Sequence, residues 1–274
     1  MISAATRLAV LLGDPVAHSR SPAMLNAAFD ARKIDAVYLA WRVGEAALSE
    51  AVATLAAVGA LGANVTVPHK ERAVSCVDAL SDRARVMQCI NCVTFDPRGS
   101  TGHNTDAPGL ERALREHLGK RVRGPAVILG AGGAARAAAV ALQAFGVGEM
   151  AVVNRSSQRR RAFNVFATRA GVAVATHPWS DVVRLCADAA IVVNATSAQV
   201  KNEALTLPFD RMRAVVYDLT YGRTPLVARA ETAGLRAFDG SLMLLHQAAV
   251  AFELWTGKTA PLAAMRKALG LGAT

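Results

Sequence analysis

A chain of 274 residues with 53% hydrophobic and 19% charged positions can bury one large core or two modest ones, and this composition excludes a disordered protein. The formal charge of +10 admits small anionic ligands, nucleic acid or a membrane surface, but the basic residues are scattered with no aromatic–basic stripe, which argues against nucleic acid. No apolar run is long enough to span a membrane, and the run 8–12, stopped by Gly13-Asp14-Pro15, is too short for a signal-peptide core. With no export signal and four Cys, the expected location is the cytoplasm, with reduced thiols.

Apolar runs at 8–13, 36–43 and 63–67 predict strands, and the spacing at 22–33 and 45–58 predicts amphipathic helices. Ser21 before Pro22 reads as an N-cap followed by the favoured first-turn proline. Residues 91–95 predict a further strand, closed by the turn Asp96-Pro97-Arg98-Gly99. Cys89 and Cys92 form a lone C-x-x-C. A zinc site needs two more ligands, and neither Cys76 nor Cys186 has a ligand-spaced neighbour, so packing is the reading and no metal is expected.

A second series begins near Asp106. It predicts helices at 106–118, 134–145 and 157–170, strands at 126–129, 150–153, 172–175, 190–194 and 215–219, and a long closing helix at 242–255. Strand and helix alternating at this pitch imply an α/β fold with a doubly wound parallel sheet. No repeat or low-complexity linker separates the two series, so the short polar stretch 103–106 reads as a hinge.

Val127-Ile128-Leu129 runs into Gly130-Ala131-Gly132-Gly133-Ala134-Ala135 and an Ala-rich helix. This is the G-x-G-x-x-(G/A) turn in its strand–turn–helix setting. Gly130 permits the tight turn, Gly132 lets backbone approach a pyrophosphate, and Ala135 lets helix and strand pack closely. The helix N-terminus offers N–H groups to the anion. The next strand ends in Asn154-Arg155-Ser156-Ser157-Gln158-Arg159, where an NAD site carries Asp or Glu. Arg155 offers a planar fork to a 2′-phosphate and a face to adenine, Ser156 a hydroxyl, and Arg159 a second cation; Arg160 and Arg161 read as a solvated helix start. The expected cofactor is NADP.

In His18-Ser19-Arg20-Ser21-Pro22 two hydroxyls spaced i, i+2 before a helix can face one ligand carboxylate; otherwise Ser21 is a simple cap and Ser19 a loop residue. In Asn64-Val65-Thr66-Val67-Pro68-His69-Lys70 the period of two puts Asn64 and Thr66 on one strand face, and Lys70 follows a turn from which its ammonium can reach over that edge. Asn91 and the run Gly102-His103-Asn104-Thr105-Asp106 add polar groups; Asp106 opens a helix and is by default a cap.

H-S-R-S-P at His18, N-V-T-V-P-H-K at Asn64, N-T-D at Asn104, G-A-G-G-A at Gly130, N-R-S at Asn154, N-A-T-S at Asn194 and Q-A-A at Gln247 occur in the order of the shikimate dehydrogenase family, which the whole chain resembles. The resemblance implies two domains: a substrate-binding α/β domain over 1–105, completed by C-terminal helices within 240–274, and an NADP-binding Rossmann domain over 106–239. It implies that Ser19 and Ser21 hold a substrate carboxylate with Tyr221 nearby, that Asn64, Thr66, Asn91, Asp106 and Gln247 bond ring hydroxyls, and that Lys70 and Asp106 are the catalytic pair. Cofactor contacts would come from Gly130, Ala131, Gly132, Gly133, Ala134, Asn154, Arg155, Ser156, Arg159 and Thr196. The chemistry agrees, because hydride addition to a ring ketone leaves an alkoxide that needs a cation and a proton donor. The implied activity is reversible reduction of 3-dehydroshikimate to shikimate, in chorismate and aromatic amino acid biosynthesis, by a monomer or homodimer whose partner is a small molecule.

The chain departs from the family pattern at several positions. His103 stands where Asp is usual, Ala107 replaces Gly, Cys92 replaces Thr, Gln199 and Val200 stand where a Gly normally follows N-A-T-S, and Leu219 replaces the common Met. Leu254-Trp255-Thr256-Gly257-Lys258 is similar to the quinate/shikimate branch, which often uses NAD; the Arg-lined turn argues against NAD here. Two alternatives stand beside the main reading: a quinate/shikimate dehydrogenase of broader range, and a non-catalytic quinate or shikimate sensor, which the presence of Lys70 and Asp106 disfavours.

Overall fold

The computed structural model describes residues 2–119, 122–196 and 205–272. Two compact units are present, one of Met1–Thr105 with Leu245–Thr274 and one of Asp106–Leu244.

The first unit is built on β1 (Arg7–Gly13), β2 (Ala36–Arg42), β3 (Gly62–Val65), β4 (Ala79–Leu80), β5 (Cys92–Asp96) and β6 (Gly99–His103), in the order β2-β1-β3-β5-β6-β4. β1 runs parallel to β2 and β3, whereas β5 is antiparallel to β3 and β6, so this sheet is mixed. β6 reads Gly-Ser-Thr-Gly-His, too poor in apolar residues to give a strand pattern; its place is set by the hairpin turn from Asp96 to Gly99, where Arg98 N–H donates to Asp96 Oδ1 at 2.7 Å. The helices are α1 (Ser21–Ala31), α2 (Leu48–Ala57) and α3 (Asp82–Met87). The segment expected to be helical from residue 45 opens as a 3-10 turn, Glu45–Ala47, before α2 begins.

Ser21 is not the cap of α1. It is the first helical residue, Arg20 holds the cap position with no side-chain cap bond, and Ser21 N–H donates to Ser19 Oγ at 3.3 Å. Pro22 removes one of the N–H groups that a cap would otherwise have to satisfy.

The second unit holds β7 (Ala126–Leu129), β8 (Met150–Val153), β9 (Ala175–His177), β10 (Ile191–Asn194), β11 (Val215–Asp218) and β12 (Ala237–Phe238), all parallel in the order β12-β11-β10-β7-β8-β9. Counted within the unit, this is the 3-2-1-4-5-6 order of doubly wound dinucleotide folds. Its helices are α4 (Asp106–Leu118), α5 (Gly133–Phe145), α6 (Ser157–Ala170), α7 (Val182–Asp188) and α8 (Pro225–Thr232). β9 starts three residues later than its apolar pattern predicts. Gly171 ends α6 in the left-handed conformation at φ 62°, and buried Val172 donates its N–H to Ala167 O, so Val172 belongs to the helix cap.

The long helix α9 (Ser241–Thr256) returns the chain to the first unit, where α10 (Leu262–Leu269) packs on α1. Arg20 donates to the Leu269 carbonyl at the end of α10. Trp255 pins α9 to the sheet: its indole N–H donates to Val93 O at 3.0 Å, and its ring lies against Gly62, where a Cβ would stand 2.1 Å from Trp255 Nε1. Gly62→Ala is therefore expected to destabilise the protein by roughly 1–3 kcal/mol through overpacking. The check is the urea midpoint, which should fall; an unchanged midpoint would mean that the indole moves aside without cost.

Candidate active site

The strand order of the second sheet reverses between β7 and β10, and ligand crevices open at such points beyond the strand ends. The turn Gly130–Gly132 leaves β7 there. Gly130 has φ +107°, and a Cβ on it would stand 2.9 Å from Ala195 O, so only glycine fits between the two strand ends. Gly133 opens α5, whose Ala135, Ala137, Ala138, Ala139 and Ala141 are buried, letting the helix lie close to the sheet with its N-terminus at the crevice. Ala131 is buried and Ala134 half-buried on this turn.

At the end of β8, Asn154 Oδ1 accepts from Ser156 N–H at 2.9 Å, and Ser156 Oγ accepts from Arg159 N–H at 3.3 Å as the cap of α6. That cap bond uses the oxygen as an acceptor, so the Ser156 hydroxyl proton can still be donated. Arg155 and Arg159 are exposed. Arg160 is not merely solvated: its guanidinium donates to Asn154 O at 2.6 Å and Arg155 O at 3.1 Å, bracing the turn from below. Arg161 is exposed.

Thr196, beyond β10, is held by Asn194 Oδ1, which accepts from Thr196 N–H at 3.1 Å and Oγ1–H at 2.7 Å. Asn194 Nδ2 in turn donates to Asp218 Oδ1 at 3.0 Å. Asp218 has 0% exposure and also accepts from Thr220 N–H and from the hydroxyl of Thr224, the cap of α8. Burial pushes its carboxyl above the usual range, against the opposing pull of these hydrogen bonds. The donors gathered around this buried carboxylate thus lock the ends of β10 and β11 together. Tyr221, half-buried after β11, sits in a loop clasped by Asp239, whose Oδ2 accepts from Gly222 N–H at 3.0 Å. Leu219 N–H donates to Asn194 O at 3.0 Å. Gln199 and Val200 lie outside the described residues.

In the first unit, three amide side chains come together. Asn64 is buried; its Nδ2 donates to Asn91 O at 3.0 Å and its Oδ1 accepts from Tyr38 Oη at 2.8 Å. A carbonyl only accepts, so the Asn64 amide orientation is fixed. Burial raises the Tyr38 phenol well above its ordinary value, with Cys92 adding to the effect, so Tyr38 stays a donor. Asn91 Oδ1 accepts from Thr105 N–H at 2.7 Å, and its Nδ2 donates to Thr105 Oγ1 at 2.8 Å and Gln247 Oε1 at 3.2 Å. Gln247 arrives on α9, and these bonds turn its amide oxygen toward Asn91. Tyr38 belongs to this network although a strand Tyr carries no signal of its own, and Thr105, a member of the polar run 102–106, bonds Asn91 through both its N–H and its hydroxyl oxygen.

Thr66 extends the β3 pairing by one residue, its N–H donating to Leu12 O at 2.9 Å, and its methyl lies where a Cβ at Gly13 would stand 2.4 Å away. The following turn is fixed on three sides. His69 N–H donates to Thr66 O, its buried Nε2 to Val43 O at 2.6 Å, and Ile90 N–H donates to Lys70 O at 2.9 Å. Lys70, half-buried, therefore stands on a rigid backbone. Ser19 is half-buried and Ser21 buried; Ser19 lines a recess of about 570 Å³ that Arg42, paired with Asp14 at 2.7 Å, also borders. The stretch 103–106 spans the boundary between the two units, and its residues Asn104 and Thr105 are hydrogen-bonded. Thr105 is bonded as above, Asn104 Nδ2 donates to Cys89 O at 3.1 Å, and Asp106, 3% exposed, opens α4. His103 lies in β6 with Nε2 3.0 Å from Thr94 Oγ1, and burial lowers its pKa, favouring the neutral imidazole.

A parallel sheet in this order with a glycine turn at its reversal point, in one chain with a second α/β unit rich in buried amides, is the architecture of a two-domain dinucleotide-dependent dehydrogenase. Residues 11–93 match the shikimate dehydrogenase substrate binding domain, 113–219 the shikimate / quinate 5-dehydrogenase family, and 240–269 the shikimate 5′-dehydrogenase C-terminal domain. A shikimate dehydrogenase (NADP(+)) of Anaeromyxobacter sp. (strain K) is 41% identical over 98% of both chains. Among solved structures, the Thermus thermophilus shikimate 5-dehydrogenase in complex with NADP(H) and shikimate is 33% identical with TM-score 0.82, covering 96% of this chain and 98% of that one. Quinate dehydrogenase from Corynebacterium glutamicum, in complex with NAD, is 30% identical with TM-score 0.87 over 96% and 98%. The chain belongs to the shikimate dehydrogenase family. Among the described residues, no helix is long and apolar enough to cross a membrane.

Proposed function

We propose that this protein catalyses the NADP-dependent, reversible reduction of 3-dehydroshikimate to shikimate. The observation that carries this reading is likeness to an NADP-dependent shikimate dehydrogenase along 98% of the chain, with Lys70, Asp106 and the amide residues all present. The crevice fits the cofactor: Gly130 leaves backbone room, the α5 N-terminus faces it, and no carboxylate ends β8. Gly130, Ala131, Gly132, Gly133 and Ala134 would hold the pyrophosphate, Asn154, Arg155, Ser156 and Arg159 the 2′-phosphate end, and Thr196 the nicotinamide side. When bound, NADPH supplies the hydride for the ring carbonyl carbon.

The side chains do the rest. Ser19 and Ser21, with Tyr221, hold the substrate carboxylate, while Asn64, Thr66, Asn91, Asp106 and Gln247 bond the ring hydroxyls. Lys70 donates a hydrogen bond to the carbonyl oxygen and then its proton to the alkoxide, and Asp106 is the counter-charge of that ammonium. The enzyme acts on small molecules in the cytoplasm as a monomer or homodimer, in the route to chorismate and the aromatic amino acids. The Leu254–Lys258 segment does not favour quinate, because its Trp255 is accounted for by packing against Gly62 and Val93. Initial rates with shikimate and quinate, each with NADP and NAD, test the reading; shikimate with NADP should be fastest, and a quinate–NAD optimum would replace it.

The carboxylate anchor has its own test. Each hydrogen bond to a charged group contributes about 1.5–3 kcal/mol, so the double variant Ser19→Ala, Ser21→Ala should bind shikimate at least about tenfold more weakly. Its affinity for NADP, and for a ring analogue lacking the carboxylate, should be preserved in calorimetric titrations. Equal weakening of both ring ligands would show that the serines shape the loop only.

A further inference from the structure

The cation at the end of β8 has a partner from the turn that follows β9. Arg155 Cζ stands 5.6 Å from the ring centroid of Trp179, within the range of a cation–π contact. Trp179 opens the 3-10 turn Trp179–Asp181 that follows β9, and its indole packs against the core cluster containing Val153, Val182 and Cys186. The ring is therefore anchored on one side and carries the guanidinium on another.

The geometry of the two strand ends keeps this pair in register. Asn154 N–H donates to His177 O at 3.1 Å, tying the residue before Arg155 to the last residue of β9. His177 Nδ1 lies 3.3 Å from Asp181 Oδ2, closing the turn that bears Trp179, and Arg184 reaches the same carboxylate at 3.6 Å. An exposed Arg loses much side-chain freedom when it binds an anion, and a flat ring beneath the guanidinium reduces that loss. A guanidinium lying on a ring keeps its in-plane N–H fork for phosphate.

We propose that Trp179 is a specificity-determining positioning residue: it holds Arg155 so that the guanidinium fork meets the 2′-phosphate of NADP, and NADP preference in this chain depends on both residues. This rests on the reading that Arg155 binds the 2′-phosphate. The Trp is supplied by the turn after β9, outside the Asn154–Arg161 stretch that carries the phosphate-binding pattern.

Calorimetric titration with adenosine 2′,5′-bisphosphate and with adenosine 5′-monophosphate tests both ideas without turnover. Arg155→Ala should weaken the bisphosphate about tenfold or more and the monophosphate little. Trp179→Leu, which keeps an apolar body in the core, should weaken the bisphosphate about three- to tenfold and leave the monophosphate unchanged. Trp179→Phe should recover most of that affinity, and in the Arg155→Ala background Trp179→Leu should add no further loss. A Trp179→Leu protein with normal bisphosphate affinity, a loss shared equally by both ligands, or a loss fully additive with Arg155→Ala each overturns the platform while the Arg155 reading stands. Normal bisphosphate binding by Arg155→Ala removes that reading and the platform with it.

Discussion

Lys70→Ala should lower kcat by about 10²- to 10⁴-fold, the usual contribution of a positioned acid–base group, while KM for shikimate changes far less. The ammonium interacts with a neutral carbonyl in the bound ketone but with a near-full alkoxide charge at the transition state, so most of its effect is confined to the chemical step. The backbone beneath it argues for a clean variant. The turn is fixed by the His69 ring on Val43 O and by Ile90 on Lys70 O, neither of which involves the lysine side chain. Shikimate affinity by calorimetry should therefore be nearly preserved, and the melting temperature should hold. A variant with near-normal kcat would remove Lys70 from the chemistry. Wild-type protein that binds shikimate yet never reduces NADP would favour the sensor reading instead.

Most of the second unit was legible because its central strands β7 and β10 are buried throughout and α4, α5 and α6 are long. α4, β7, β8 and α6 fall on the predicted residues, since continuous apolar runs such as Ala126–Leu129 alternate with regular helical spacing. The short elements escaped. α3 and α7 have six and seven residues, too few for a periodic signal, and β12 has two. β4 and β6 are recruited by pairing rather than by pattern.

The site was legible to a different degree. Motif order pointed to Asn64 and Gln247, and the family resemblance to Asn91, but spacing gave no hint that Asn91 bonds Gln247 across 156 residues of chain. Asp218 carries no signal in the sequence because an acid after a hydrophobic strand commonly caps or faces solvent; its burial appears only when Asn194, Thr220 and Thr224 surround it. Arg160 looked like one more surface cation because its carbonyl partners, Asn154 and Arg155, precede it by six and five residues across a turn. His103, where the family usually has an acid, meets Thr94 across the hairpin as a largely neutral imidazole. Such a replacement removes a charge without leaving the ring unbonded.

Arg155→Asp should reverse the cofactor preference. Loss of charge-assisted hydrogen bonds removes about 1.5–3 kcal/mol, and the new carboxylate repels the 2′-phosphate, so kcat/KM for NADP should fall by about 10²-fold or more. For NAD the same carboxylate can accept from the ribose hydroxyls, so kcat/KM should stay within about threefold or rise. The turn itself should survive, since Arg160 holds the carbonyls of Asn154 and Arg155, Asn154 Oδ1 holds Ser156 N–H, and Ser156 caps α6, all without the Arg155 side chain. Preserved melting temperature together with a changed NADP/NAD ratio would assign phosphate reading to this residue. The wild-type ratio should also narrow as salt is raised, because an exposed Arg–phosphate pair is screened while the ribose contacts of NAD are not. Equal losses for both cofactors, or a ratio indifferent to salt, would show that Arg155 serves the fold at the end of β8 and that selectivity arises elsewhere in the crevice.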